Sequence, residues 1–401
     1  MRYKNQYIFL LLLSVCTLSI KAQKLDSLLN ELNKYQKEDT VRLLLLNKVS
    51  KAYRYINPKK GLETADSALT LAQELHNQRE EGYAYMMKGE HYNWMGGLKE
   101  QAIMSLQKAL TIFNKIESNS DIASCLNDIG NYYFGIADYD KAMDYYLQTL
   151  NIDTQLDDKG GMAIELGNIG LVNLRLSKFQ KALEYYQKAF VINTQLNNKK
   201  GMSNNLSDIG LVYTWSSDFR QSLEYNQRAL QISEQEDSKS QMAIQLSRLG
   251  YAYMSLGDYP KALESQQKSL KINEQLNFKP GIAASLNELG VLYDVLLNYD
   301  LALEYFQKGL LLNTTLDDKQ GIAVNTLNIG LTYQHKKDYV LALEYAQKAL
   351  TMAEQLESES IIGTSLLNIG IDYQLLGYYS IALEYYKKSL RSAEKTQTKE
   401  D

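Results

Sequence analysis

Glycine returns at intervals of forty residues, at Gly130, Gly170, Gly210, Gly250, Gly290, Gly330 and Gly370, without a slip of register. An aromatic keeps the same phase nine positions later, at Tyr139, Phe179, Phe219, Tyr259, Tyr299, Tyr339 and Tyr379. A period this strict dictates an array in which one supersecondary unit is stacked many times over. Such arrays grow in one dimension, so a length of 401 residues does not require two or three separate domains.

Each unit reads as a helical hairpin. In 161–200 the first helix runs from about Met162 to Leu176, with Leu166, Ile169 and Asn173 spaced by three and four. Ser177-Lys178 makes a short turn before Phe179, and a second helix covers Gln180 to about Leu196. Asp138, Asp218, Asp258, Asn298 and Asp338 precede the turn aromatic in other units, where their side chains can accept from the free N–H groups of the next helix. A glycine inside a helix costs roughly 1 kcal/mol against alanine, so the glycine column implies close helix contact. The small residues twelve positions on (Ala142, Ala182, Ser222, Ala262, Ala302, Ala342 and Ala382) are expected to face it. The turn aromatics, with Tyr146, Tyr186, Phe306 and Tyr386, are expected to fill the wider end of the hairpin as core.

The regular array occupies 121–400 as seven units. Upstream, 81–120 is a repeat with one residue inserted near Gly96-Gly97. The segment 41–80 is a divergent repeat, with Ser50 and Tyr53 in the glycine and tyrosine positions and Pro58 opening its second helix. Residues 23–40 carry an N-terminal capping helix over Lys24 to Tyr35, with Leu25, Leu28, Leu29 and Leu32 on one face. At the other end Ser392 and Thr396 replace apolar columns and Glu394–Asp401 is wholly polar, the expected outer face of a capped terminal repeat.

Residues 1–22 follow a different logic. Arg2 and Lys4, the apolar run from Tyr7 to Ile20, and Ile20-Lys21-Ala22 have the pattern of a cleaved secretory signal peptide, which places the mature chain in the periplasm or outside the cell. The run is short for a bilayer span, so no direct membrane insertion is expected after cleavage, and Cys16 opens the alternative of lipidation. Cleavage removes Arg2, Lys4 and Lys21 and takes the net charge from −4 to −7. An acidic exported chain does not suit nucleic acid. Cys125 is then the one remaining cysteine, expected to be buried and inert.

Leu166, Gly170, Asn173, Ala182, Tyr186 and Ala189 resemble the tetratricopeptide repeat pattern, with Asn173 departing where Tyr133, Tyr213, Tyr253, Tyr293, Tyr333 and Tyr373 conform. The resemblance implies an all-α, right-handed superhelical solenoid of helical hairpins. The period is six residues longer than the family's usual length of about 34, similar to the long repeats of kinesin light chains and cell-polarity adaptors. The stretch LDSLLNELNKYQKEDTVRLLLLNKVSKAYRY resembles the exported sensor half of Bacteroidetes histidine kinases and regulators, though no transmembrane helix or signalling domain follows the repeats in this sequence.

Catalytic patterns are few. His76, His91 and His335 show no metal-ligand or triad spacing, no phosphate loop is present, and neither metal nor cofactor is expected. The resemblance instead implies a concave groove lined by first helices. The expected groove residues are Asp128, Asn168, Asp208, Arg248, Glu288, Asn328 and Asn368, each two before a glycine, with Arg175, Trp215 and Tyr251. Asparagine both donates to and accepts from a peptide backbone, which suits a protein or peptide ligand. The reading is a non-catalytic binding scaffold in the cell envelope. The alternatives are a sensory ectodomain or envelope partner of a two-component signalling protein, and a hydrolase using acidic groove residues such as Glu288.

Overall fold

The computed structural model describes residues 18–54, 56–95 and 98–397. Residues 1–17 of the expected leader, including Cys16, and the Gly96-Gly97 turn lie outside them. Among the described residues there are nineteen α-helices and no strand. They fall into two compact units, 17–205 and 206–401, and the division passes through α10 (Lys199–Trp215).

The first unit opens with α1 (Leu18–Lys34), which begins six residues before the expected start. Four hairpins follow: α2/α3 (Thr40–Tyr53, Pro58–Glu74), α4/α5 (Gln78–Met95, Lys99–Lys115), α6/α7 (Asn119–Gly135, Tyr139–Gln155) and α8/α9 (Lys159–Arg175, Phe179–Gln195). In the second unit α10 pairs with α11 (Phe219–Gln235). After it come α12/α13 (Lys239–Ser255, Tyr259–Gln275), α14/α15 (Lys279–Val295, Tyr299–Thr315), α16/α17 (Lys319–His335, Tyr339–Gln355) and α18/α19 (Glu359–Leu375, Tyr379–Gln397).

The turns explain the regularity. At the end of α8, Ser177 takes a φ of 55°, and the N–H of Lys178 reaches back to the Asn173 carbonyl at 2.8 Å. This satisfies a carbonyl that the helix end would otherwise orphan. The same left-handed residue recurs every twenty positions, at Ala137, Asp157, Ser177, Asn197, Ser217, Asp237, Gly257, Asn277, Leu297, Asp317, Lys337, Glu357 and Gly377. Connections within and between hairpins therefore share one geometry. Asp138, Asp218, Asp258, Asn298 and Asp338 cap the following helix as the sequence predicts, each accepting from the N–H three residues on. Asp158, Asn198 and Asp318 do the same between hairpins.

The glycine column is a close contact, but its partner differs from the expected one. A methyl group placed on Gly290 would lie 2.6 Å from Phe306 Cε1, and one on Gly130 or Gly370 would be 2.6 Å from the ring of Tyr146 or Tyr386. The residue sixteen positions on lays its ring over the bare helix. The alanine column supplies backbone beside it, as at Ala382, whose carbonyl stands 3.3 Å from the same point on Gly370. The turn aromatics are not core: those from Tyr139 to Tyr339 are half-buried and Tyr379 is exposed. Tyr133, Tyr213, Tyr293, Tyr333 and Tyr373 each stack on a tyrosine of the second helix, with centroids 5.3–5.6 Å apart. Cys125 is buried as expected, its thiol donating to the Leu106 carbonyl and pushed well up from the ordinary range by burial. Ser392 does not lie on an outer face; it is buried and donates to the carbonyl of Glu359. Leu383 and Leu390 are exposed apolar residues of α19.

Candidate functional site

Within 206–401 polar side chains join successive first helices, because a side chain two or three positions before one glycine reaches its counterpart in the following repeat. Asp128, Asn168 and Arg175 belong to 17–205 and the other expected groove residues to 206–401, so they form two sets.

In the first set the Arg54 guanidinium is hydrogen-bonded to Glu90, which is buried. Burial and the neighbouring Asp128 carboxylate push Glu90 well above its ordinary range, and burial raises Asp128 as well. Two carboxyl groups so enclosed do not both ionise readily. Glu165 accepts from Asn127 and, at 3.3 Å, from Asn168, and burial pushes it up to about 7. Arg175 is half-buried with its guanidinium 5.5 Å from the centre of the Phe134 ring.

The second set is continuous through four repeats, from α10 to α16. Arg248, only 5% exposed, donates to the carbonyl and the hydroxyl of Ser207 and lies 3.7 Å from Asp208. Burial lifts Asp208 to about 6 even though Arg248 opposes the shift. The Ser247 hydroxyl reaches Glu288 at 2.8 Å, and Asn328 Nδ2 donates to Asn287 Oδ1 at 2.8 Å. Asn328 and Asn368 are buried rather than open on a groove, Asn328 being held against the preceding first helix by its bond to Asn287. Tyr251 is half-buried with its ring edge-on to Phe219 at 6.3 Å, and Trp215 is half-buried.

Several members lie outside the expected residues. Asn226 and Gln266 stand where Tyr146, Tyr186 and Phe306 cover their glycines, and both are buried. Asn226 Nδ2 donates to the Ser222 carbonyl at 2.8 Å, and Gln266 Nε2 to the Ser247 carbonyl at 3.2 Å. The signal for them was in the sequence, as a break in the aromatic column at two successive repeats. Beside this network is a cavity of about 120 Å³ between α12, α14 and α16. Ser247, Asn273, Ser285, Asn287, Glu288 and Asn325 line it, with small residues such as Ala243 and Ala284 leaving the space.

Glu288 is half-buried at its surface and enclosed below, and burial pushes it up to about 7 from an ordinary 4.5. A carboxyl raised on folding contributes stability that is complete below its unfolded pKa and is lost as pH rises through the folded one. Glu288→Gln should therefore leave stability unchanged near pH 4. At pH 8 it should raise stability by about 1–2 kcal/mol, less than the full shift because of partial exposure. Urea unfolding of both proteins at the two pH values measures the difference; equal curves at pH 8 would refute it.

A sequence profile described as tetratricopeptide repeat matches residues 80–155, 162–235, 241–310 and 322–395. Comparison with curated proteins gives no match. Among solved structures the chain is similar to a Rap protein complexed with competence and sporulation factor, at 18% identity and a TM-score of 0.61, covering 90% of this chain and 100% of that one. It is also similar to the apo quorum sensor NprR from B. thuringiensis, at 16% identity and a TM-score of 0.58, over 93% of this chain and 98% of the other. A third is the Rap conjugation gene regulator of plasmid pLS20 in complex with the Phr* peptide, at 14% identity and a TM-score of 0.58, over 89% and 96%. At these identities the likeness is one of fold.

Proposed function

The chain belongs to the tetratricopeptide repeat family, and from that premise we propose that it is a non-catalytic scaffold whose first helices in 206–401 bind an extended protein or peptide. The observation that carries this reading is the replacement of ring packing by hydrogen-bonded polar groups at Asn226 and Gln266, beneath the Ser207–Arg248 and Ser247–Glu288 contacts. Burying polar groups costs more than burying the tyrosine or phenylalanine used in neighbouring repeats. Departures from local packing rules gather where a protein binds something. Half-buried Tyr251, Val291 and Leu331 lie beside the network and offer apolar contact that demands no particular sequence. Two of the similar structures named above are complexes, one with competence and sporulation factor and one with the Phr* peptide, which supports a peptide as the ligand class.

We further place the protein in the cell envelope, in the periplasm or secreted, on the leader-like pattern of residues 1–22. Among the described residues no helix is long and apolar enough to cross a membrane. A role beside an envelope signalling protein rests on the resemblance of the stretch from Leu25 to Tyr55 to exported sensor regions. Amino-terminal sequencing of protein recovered from cells should read from Gln23.

The binding role is tested with a display library of random peptides selected on the full chain. Selected peptides should bind saturably, and Trp215→Ala should weaken them by about tenfold, the scale of one aromatic anchor, with helical content unchanged. A library that yields no saturable binder would remove the scaffold reading.

A further inference from the structure

The cavity between α12, α14 and α16 turns carbon to whatever enters it, although many of its walls come from polar residues. The Ser269 hydroxyl donates to the Ala243 carbonyl at 2.8 Å, the Asn273 amide is hydrogen-bonded to Ser285, and the Asn325 amide donates to the Gly321 carbonyl. The remaining oxygen of each of these amides is sealed off, with almost no accessible surface. Asn287 Oδ1 accepts from Asn328, Asp318 is engaged as the cap of α16, and Arg248 is turned to Ser207 and Asp208. These polar groups are spent within the fold, and the surface left to the cavity is mostly apolar. Ala243, Phe278 and Ala283 are its buried part, and half-buried Ile244, Ala284 and Val324 stand nearer the mouth.

Phe278 is a second, independent sign. At the same position in other repeats Asp158, Asn198 and Asp318 each cap the helix that follows. Asp and Asn are favoured there because their oxygens satisfy free N–H groups, which a phenyl ring cannot do. Phe278 accordingly makes no side-chain cap for α14; its ring is 3% exposed, packs over the bare Gly281 and joins the cavity wall. This repeat gives up a cap and gains apolar wall, and such departures from local rules gather at functional places. Glu288 completes the lining with both oxygens against the Ser247 hydroxyl, at 2.9 and 2.8 Å. Burial pushes it up to about 7, and a carboxyl that takes up a proton so readily tolerates a carbon neighbour better than an ordinary carboxylate does.

Water is a poor occupant, since each molecule needs about two to four polar partners. An engineered apolar cavity of about 150 Å³ takes benzene. At about 120 Å³ this one suits a branched aliphatic side chain. We propose that the cavity is a subsite for a side chain of leucine or isoleucine size from the bound polypeptide, seated against Phe278, Ala284 and Val324. The subsite rests on the peptide-binding reading above and gives it a sequence preference: ligands carry a branched aliphatic residue at the position that reaches α14.

The probe is N-acetyl-leucine amide, titrated into the full chain and followed by saturation transfer to its methyl groups in NMR. N-acetyl-asparagine amide, a polar molecule of nearly the same shape, and N-acetyl-alanine amide are the comparisons. Leucine amide should bind saturably and at least about tenfold tighter than either, because a single missing methylene in an apolar pocket already costs about tenfold or more. Ala284→Ile places at the mouth the residue that Ile244 supplies one repeat earlier, so it should fold like the parent. By filling the space it should weaken leucine amide by about tenfold or more. Val324→Ala should widen the cavity and shift the preference from leucine amide towards N-acetyl-phenylalanine amide, a change that loss of structure cannot produce. No saturable binding, equal binding of the leucine and asparagine amides, or a preference unmoved in both variants would overturn the assignment. The library selection separates the two readings. Selected peptides that depend on Trp215 but bind Ala284→Ile as tightly as the parent would sink the subsite and keep the scaffold. A library without any binder would instead remove the scaffold, and with it the polypeptide as the source of the side chain.

Discussion

Gly290→Leu is expected to destabilise 206–401 by about 3 kcal/mol, at the upper end of what overpacking costs. Even a methyl group at Gly290 would meet three atoms of the Phe306 ring at 2.6, 2.7 and 2.9 Å. Phe306 is 1% exposed and packs with Ala302, Leu303 and Ile329, so the ring has nowhere to retreat. The helix-propensity gain from removing a glycine, about 1 kcal/mol, is too small to compensate. Gly167 is the matched control. It is also inside a helix, but a methyl group added there would have nothing within 4 Å, so Gly167→Ala should be neutral or stabilising by up to about 1 kcal/mol. Chemical denaturation of the two variants measures both, and a Gly290→Leu curve overlying the parent would show that the ring is not a fixed wall. Gly250 is a softer case, because the atoms it meets belong to the flexible end of Gln266.

Arg248→Ala should cost about 3–5 kcal/mol at pH 8, the range for removing one partner of a buried pair. The substitution strips the charge from beside Asp208 and leaves the Ser207 carbonyl without that donor. Asp208 already sits at about 6 with Arg248 present, and Arg248 is what holds it from going higher. Without the guanidinium its pKa rises further. A group raised on folding gives stability that is whole below its unfolded pKa and disappears as pH climbs through the folded value. The penalty of Arg248→Ala should therefore be smaller at pH 5, where Asp208 takes up a proton, than at pH 8. Thermal melts of parent and variant at both values check the sign. A penalty that is the same at both would mean that Asp208 does not depend on Arg248.

The hairpins, their register and most caps were legible in the sequence, because glycines at strict phase and Asp or Asn before most second helices state local physics directly. The glycine partner was not. Sequence spacing pointed to the alanines of the facing helix, whereas Tyr146, Tyr186 and Phe306 reach back four residues further to cover the bare backbone. That choice depends on side-chain direction, which a column of letters does not carry. For the same reason Arg248 and Asn328 were expected on an open groove and are buried between first helices.

The left-handed corner at every twentieth residue means that the backbone alone does not say where one hairpin stops and the next starts. That distinction is written only in side chains: glycine on one helix and a ring on its partner. Cutting out forty residues between equivalent corners should bring like faces together again and leave a shorter chain that still folds. Cutting out twenty would preserve every bend in the path and yet set rings against rings, so the shortened chain should fail although its main-chain geometry is flawless.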